Sequence, residues 1–308
     1  MKQTAASTHW RHWLPFIVAV LAVYVFLPQL KIFHASLYSL RTVNGAYVSI
    51  ALVAVAASFI CSALSYLCLS YRPIAFGRTL VVELAANFIN RLLPAGIGGI
   101  GANYRYLLKQ KHRPAQAASV VAVNNSLGVI GNTVLVAVLV VTSHERLTPG
   151  RITALHIYIA IGCLLVAASL IVIPRVRKRI TALMTAFYAQ LLQFRRRPLS
   201  LFLALASQML LTLSMVTAFW ASTHAVHVAL GFVTALLIFS VGFGIGNAAP
   251  TPGGLGGIEA GLVAGLLAYH VASAPALAAV LLFRICSYWW PLLISGPLFV
   301  YAARRHYF

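Results

Sequence analysis

Acidic residues are almost missing from this chain. Its 308 residues include three, Glu83, Glu145 and Glu259, against 23 lysines and arginines, for a net charge of +20. Charged residues make up 8% of the chain, where a soluble domain carries about a quarter. Such a chain cannot cover itself with a polar surface, which excludes a soluble globular enzyme. The 61% of hydrophobic residues excludes disorder, which needs low hydrophobicity. Three acids leave little room for paired-carboxylate chemistry, and no HExxH, GxSxG or Walker-type loop occurs. Cysteine is scarce as well. Cys61, Cys68, Cys163 and Cys286 lie in apolar stretches without a CxxC pair, the pattern of inert buried thiols. His224 and His227 have metal-like spacing but no carboxylate nearby, so a solvated pair is expected. No metal, cofactor or enzymatic activity is expected.

Long apolar runs are plentiful. They cover 14–30, 46–71, 79–93, 115–142, 152–173, 198–222, 231–249, 258–272 and 274–302. A helix needs about 20 apolar residues to cross a bilayer, and 14–30, 46–71, 115–142, 152–173, 198–222 and 274–302 meet or approach that. The expected fold is therefore all-α, a polytopic transmembrane helical bundle forming a single membrane domain over 1–308. The cations cluster in short loops between the runs. That is the pattern of positive-inside topology signals with affinity for an anionic lipid surface, not of a nucleic-acid partner. The densest cluster, Arg175, Arg177, Lys178 and Arg179 followed by Arg195, Arg196 and Arg197, is placed in the cytoplasm, with an amphipathic stretch at 180–194 on the membrane surface. Counting spans from there puts both termini in the cytoplasm and Glu145, beside Arg146, in an external loop. The first run follows Arg11 without a clear small-residue cleavage site, so it reads as a retained anchor.

The same count makes 79–103 enter and leave from the cytoplasm, as a re-entrant hairpin broken at Pro94-Ala95-Gly96-Ile97-Gly98-Gly99-Ile100-Gly101. It makes 231–272 a second re-entrant hairpin of opposite polarity, broken at Pro250-Thr251-Pro252-Gly253-Gly254-Leu255-Gly256-Gly257. Both breaks fit P-x-G-[I/L]-G-G-I-x-A, ending at Ala102 and Ala260. A further match sets Pro114-Ala115 against Pro275-Ala276. The result is two inverted repeats, about 46–142 and about 198–302, joined through the basic segment at about 175–197. Inverted repeats with paired broken helices characterise secondary transporters, and non-helical backbone survives in a bilayer only where protein or water surrounds it. Gly98, Gly99, Gly256 and Gly257 are thus expected to line a central cavity.

A charge near the bilayer centre costs roughly 3 kcal/mol or more and usually marks a pathway or an ion pair. Glu83 and Glu259 fall in the hairpin segments, with Arg91, Arg105 and Arg284 as available cations. Arg284 interrupts an apolar run, and the expectation is that Glu259 and Arg284 approach one another or share a substrate headgroup. A buried pair that only fixes helix register stands as the alternative. Asn87, Asn90, Asn103, Asn124, Asn125, Asn132 and Asn247 add neutral polarity at similar depth, with bridging between helices as the first reading.

Gly98-Gly99-Ile100-Gly101-Ala102-Asn103-Tyr104-Arg105-Tyr106, the run down to about 140, Pro252 through Ala260, and Arg284 followed by Tyr288 and Pro291 together resemble the lysylphosphatidylglycerol synthase transmembrane-domain-like family of bacterial inner-membrane proteins. The resemblance implies a multi-pass protein of the bacterial cytoplasmic membrane that moves a polar or anionic lipid between leaflets, a flippase-like activity. By resemblance, Arg105, Glu259 and Arg284 match the family's polar positions. Arg105 and Arg284 are expected to contact the lipid phosphate, Glu259 to hold or release Arg284, and Glu83, Asn103, Gly98, Gly99, Gly256 and Gly257 to belong to the same substrate-binding site. Many members carry an acid just after the first glycine cluster, where this chain has Gly101, Ala102 and Asn103, so two symmetric acids are not expected. The chain ends at Phe308 without the aminoacyl-transferase domain of the synthase, and synthesis of the lipid is not expected of it. The implied partner is a membrane phospholipid or other polar lipid; a homo-oligomer is compatible with the sequence. Two other readings stay open: an ion-coupled carrier of a small solute, and a non-transporting membrane partner of a lipid-synthesis enzyme.

Overall fold

The computed structural model describes residues 42–92, 97–142, 194, 197–248, 251 and 253–308. The expected spans 14–30 and 152–173, most of the amphipathic stretch, Glu145 and Cys163 lie outside the described residues. Those described form helices and turns without a strand. In order they are α1 (Gly45–Leu69), α2 (Phe76–Leu92), α3 (Ile97–Lys109), α4 (Pro114–Thr142), α5 (Pro198–Ala225), α6 (Phe232–Ala248), α7 (Gly257–Ala268), α8 (Ser273–Arg284), a π-helical turn (Ile285–Trp289) and α9 (Trp290–Arg304). Four stretches are long and apolar enough to cross a membrane: Gly45–Leu69, Pro114–Val138, Pro198–Ala225 and Ser273–Arg304. They coincide with four of the six expected spans.

Local signals set the helix boundaries. The Asn44 side chain accepts from the Ala46 N–H at 3.0 Å and caps α1. Proline opens α4 and α5, where its missing N–H is no loss. The same sequence of lengths then occurs twice. Helices of 25, 17, 13 and 29 residues are followed by helices of 28, 17 and 12 and by a continuous 32-residue stretch. The leading long helices, α1 and α5, pack antiparallel. Asn44 N–H donates to Ala225 O at 3.0 Å at one end, and Gln208 Nε2 reaches Ser65 Oγ at 3.2 Å further along. Asn124 of α4 joins that contact, accepting from Ser65 Oγ at 2.6 Å and from Gln208 Nε2 at 2.8 Å. The buried Asn124 therefore bridges three helices, while its neighbour Asn125 is exposed. Asn132 similarly ties α4 to α6 through Ser240 at 2.9 Å.

Each set holds a tight antiparallel pair of short helices. In α6 and α7 the contact runs through glycine. A Cβ on Gly246 would lie 2.6 Å from the Ile258 backbone, one on Gly242 would meet Leu262 N at 3.0 Å, and one on Gly261 would meet Gly242 Cα at 2.9 Å. In α2 and α3 the contact is polar along much of its length. Thr79 Oγ1 and Tyr106 Oη lie 3.0 Å apart, and the Gly99 N–H donates to Asn90 Oδ1 at 2.5 Å. Asn90 thereby satisfies one of the free N–H groups at the start of α3. Gly98 and Gly99, expected in a non-helical elbow, lie in the first turn of α3. The correction has a steric reason: a Cβ on Gly98 would fall 2.7 Å from the Ile89 carbonyl carbon, so glycine here lets two helices touch rather than lets the chain turn. The core behind the second pair is aromatic. Phe219 packs on Phe239 and edge-on against Phe283, with ring centroids 6.4 and 5.6 Å apart.

The ends of α1, α3 and α5 meet at a polar lock. Lys111 takes a positive φ of 63°, and the His112 N–H returns to Leu107 O at 3.1 Å, closing α3 in a Schellman turn. That turn buries His112, whose Nδ1 donates to Leu107 O at 3.0 Å while Nε2 lies 2.9 Å from Ser70 Oγ. Arg197 Nη1 donates to Ser70 O at 3.0 Å. His224, expected to be solvated, is half-buried against the Trp220 and Tyr47 rings at 4.3 and 5.4 Å. Among the described residues no group of His, Cys or Glu could hold a metal ion.

Two outcomes follow from this packing. Gly246→Ala should lower the stability of the detergent-solubilised protein by about 1–3 kcal/mol, the usual cost of overpacking. Gly244→Ala, with nothing within 4 Å of its Cβ, should be neutral or gain up to about 1 kcal/mol; thermal unfolding of the two variants separates them. Burial also holds the His112 imidazole below the ordinary His range, the Leu107 carbonyl opposing the shift and Arg72 adding to it. The unfolded chain then binds the proton more readily, so the His112 contribution is present above about pH 6.5 and is lost as pH falls below it. His112→Gln should flatten that part of the dependence of Tm on pH.

Candidate functional site

A proline begins the site. Ser287 O would accept from the N–H four residues on, but position 291 is proline and has none. The helix widens there into the π-helical turn Ile285–Trp289, a distortion that recurs at functional sites. The freed Ser287 carbonyl accepts instead from Arg91 Nη2 at 2.8 Å. Arg91 lies at the end of α2, and its Nε also donates to Asn87 Oδ1, one turn back, at 3.2 Å.

Tyr288 is the meeting point. The Arg91 guanidinium stands over its ring at 4.1 Å and the Arg284 guanidinium at 4.5 Å. Each such contact contributes about 0.5–2 kcal/mol. Gly253, in the turn before α7, abuts the same ring: a Cβ there would lie 2.7 Å from Tyr288 Cε2, and φ is +60°. Only glycine meets both demands without strain. The end of α2 and the turn between α6 and α7 therefore converge on one side chain.

Glu259 binds Arg284, as the sequence leads one to expect. Arg284 Nε donates to Glu259 Oε1 at 2.6 Å. The other carboxylate oxygen accepts from the Gly256 N–H at 2.8 Å, which ties the pair to the start of α7, where negative charge is favoured. Arg284 is 3% exposed, and its Nη2 reaches Gly253 O at 3.4 Å. Gly256 precedes α7 and Gly257 is its first residue; both belong to the turn that carries Glu259.

The cluster is rich in donors. It holds two guanidiniums and one carboxylate. Among the described residues, Asn87 Nδ2, Thr251 Oγ1 and Ser287 Oγ are buried without a hydrogen-bond partner. Leaving a buried polar group unpaired costs about 1–3 kcal/mol. Asn87 and Ser287 both contact Arg91, and unpaired groups beside two arginines make a set that suits a phosphate or other anionic group, which offers several acceptor oxygens at once.

Other expected site residues lie elsewhere. Arg105 is exposed on α3 and does not join Arg284; Arg91 takes that place. The reason is register, because the seam with α2 turns Asn103, Tyr106 and Leu107 inward. Glu83 sits two turns before Arg91 on α2, with Asn103 facing it across the seam. Tyr288, the hub, was not assigned a role from sequence. Its signal was Pro291 three residues on, with Arg284 before the tyrosine and the tryptophan pair Trp289-Trp290 after it. A separate apolar groove of about 500 Å³ runs between α1 and α5, lined by Ile50, Val53, Leu210 and Leu213 among others, and shares no residue with the cluster.

Removing Arg284 strands the Glu259 carboxylate. Arg284→Ala should destabilise the protein by about 3–5 kcal/mol. The double variant Glu259→Gln/Arg284→Met should recover more than half of that loss, measured by thermal or denaturant unfolding in detergent.

A sequence profile of the family described as "Lysylphosphatidylglycerol synthase TM region" matches residues 12–295. No curated protein matches the chain.

Proposed function

The chain belongs to the lysylphosphatidylglycerol synthase TM region family, a multi-pass membrane protein, and on that premise we propose that it moves a lipid between leaflets by binding the headgroup phosphate at Arg91 and Arg284. The reading rests on the donor surplus around Tyr288: two guanidiniums against one carboxylate, with Asn87 Nδ2 and Ser287 Oγ buried and unpaired beside Arg91. A headgroup within a bilayer needs polar partners that hydrocarbon does not supply. In this reading α2/α3 and α6/α7 are re-entrant hairpins of two inverted repeats, and their tips meet at the phosphate. Acyl chains stay in the bilayer while the headgroup passes.

The division of labour follows from the contacts. Arg284 is fixed by Glu259, so its guanidinium is aimed rather than mobile. Arg91 is held by a backbone carbonyl and an amide, both neutral, which leaves its guanidinium free of a direct ion pair for the substrate. Tyr288 keeps the two cations together against their mutual repulsion. No bond is made or broken, and the activity proposed is non-enzymatic translocation in the bacterial cytoplasmic membrane.

Transfer of a fluorescent anionic phospholipid in proteoliposomes tests this. Arg91→Gln should slow transfer by roughly 10–100-fold, the worth of one hydrogen bond to a charged group, without a large drop in Tm. Arg105→Gln should leave the rate unchanged. Equal rates for wild type and Arg91→Gln would overturn the assignment.

A further inference from the structure

Among the described residues, the second intramembrane acid pairs with no cation. Glu83 lies on α2 in a ladder of residues four apart: Thr79, Glu83, Asn87 and Arg91. Its Oε2 accepts from Ser62 Oγ of α1, and the Asn103 amide of α3 faces the same carboxyl. Among the described residues, Glu83 Oε1 and Asn103 Oδ1 are both buried without a hydrogen-bond partner, and Asn103 is 5% exposed. These are two acceptors lacking a donor, the reverse of the cluster around Tyr288.

The described helices packed on α2 bring neutral groups to this point. Ser62 comes from α1, with the Tyr66 hydroxyl turned toward Asn103. Arg105 and Lys109 of α3 are exposed. Helix α9 meets α2 through Phe299 stacked on Phe88 at 5.5 Å, and its Arg304 is exposed. A carboxylate here leaves Oε1 buried and unpaired. A carboxylic acid supplies its own donor, and the Asn103 amide placed against this carboxyl can donate to the carboxylate or accept from the acid. Hydroxyls and an amide both donate and accept, so the same partners can serve either protonation state. Glu259, in contrast, is committed to Arg284.

We propose that Glu83 is a proton-binding site, loaded and unloaded once per transport cycle. One proton from water converts the carboxylate to the acid, and its release to water restores the carboxylate; no other bond changes. The site lies about 12 Å along α2 from Arg91, at 1.5 Å per residue, with Asn87 between them. Loading the proton removes the negative charge at one end of the ladder while the phosphate occupies the other. Coupling to lipid movement rests on the reading given above; proton binding at Glu83 does not.

Two measurements separate the parts. Infrared difference spectra of the reconstituted full-length protein during pH exchange should show a carboxylic acid C=O signal that appears and disappears reversibly. It should be lost in Glu83→Gln, kept in Glu259→Gln and shifted in Asn103→Leu. Absence of a titrating carboxyl signal from Glu83 would overturn the proton site, whether or not lipid moves. In proteoliposomes with an imposed difference of one pH unit, the labelled phospholipid should accumulate in one leaflet by up to about tenfold for one proton per lipid. Glu83→Gln should abolish the asymmetry. Equal leaflet distributions in the wild type with transfer intact would overturn the coupling while leaving the phosphate site standing.

Discussion

Two positive charges share one tyrosine ring in a part of the chain that has one acid to offer. Arg284 has Glu259 at 2.6 Å, whereas Arg91 has a carbonyl and an amide. That imbalance organises the structure around it. Pro291 frees the carbonyl that Arg91 binds. The π-helical turn sets Tyr288 beneath both guanidiniums, and Gly253 lets the α6/α7 turn close against the ring. A buried cation without a full counter-charge is expensive, and an anionic headgroup, as proposed, would relieve it.

The two short-helix pairs are alike in outline and opposite in chemistry. The α6/α7 seam is built of Gly242, Gly246 and Gly261 and brings backbones together with little polarity. The α2/α3 seam carries Thr79, Glu83, Asn90, Asn103 and Tyr106. A symmetric outline would serve alternation between two sides of a membrane, as in transporters built from inverted repeats. The polar seam supplies chemistry that the glycine seam lacks. Glu83 and Arg91 on one helix give α2 an acceptor-rich end and a donor-rich end.

Much of this architecture was legible in the residues. The long apolar runs gave four of the helices within about two residues at most ends. The second proline- and glycine-rich break holds the turn before α7, and the first runs into the start of α3. The scarcity of acids singled out Glu259, and its pairing with Arg284 follows from the few cations at that depth. Other features were hidden because they depend on contacts between distant parts of the chain. Arg91 and Ser287 are separated by 196 positions, and nothing local shows that they meet. Arg105 and Arg91 both looked available; the seam register, which turns Asn103 and Tyr106 inward, decides between them. Gly98 and Gly99 read as a turn because glycine serves both turns and close helix contacts, and only the neighbouring Ile89 and Asn90 distinguish the two uses.

The proposed activity requires a lipid phosphate seated against Arg91 and Arg284. Solid-state NMR of the protein in anionic liposomes, with ¹⁵N-labelled arginine, reports which guanidiniums lie near lipid ³¹P. The expected result is ³¹P dephasing of two guanidinium signals that vanish in Arg91→Gln and Arg284→Gln and persist in Arg105→Gln. Dephasing confined to arginines unaffected by the first two substitutions would contradict it.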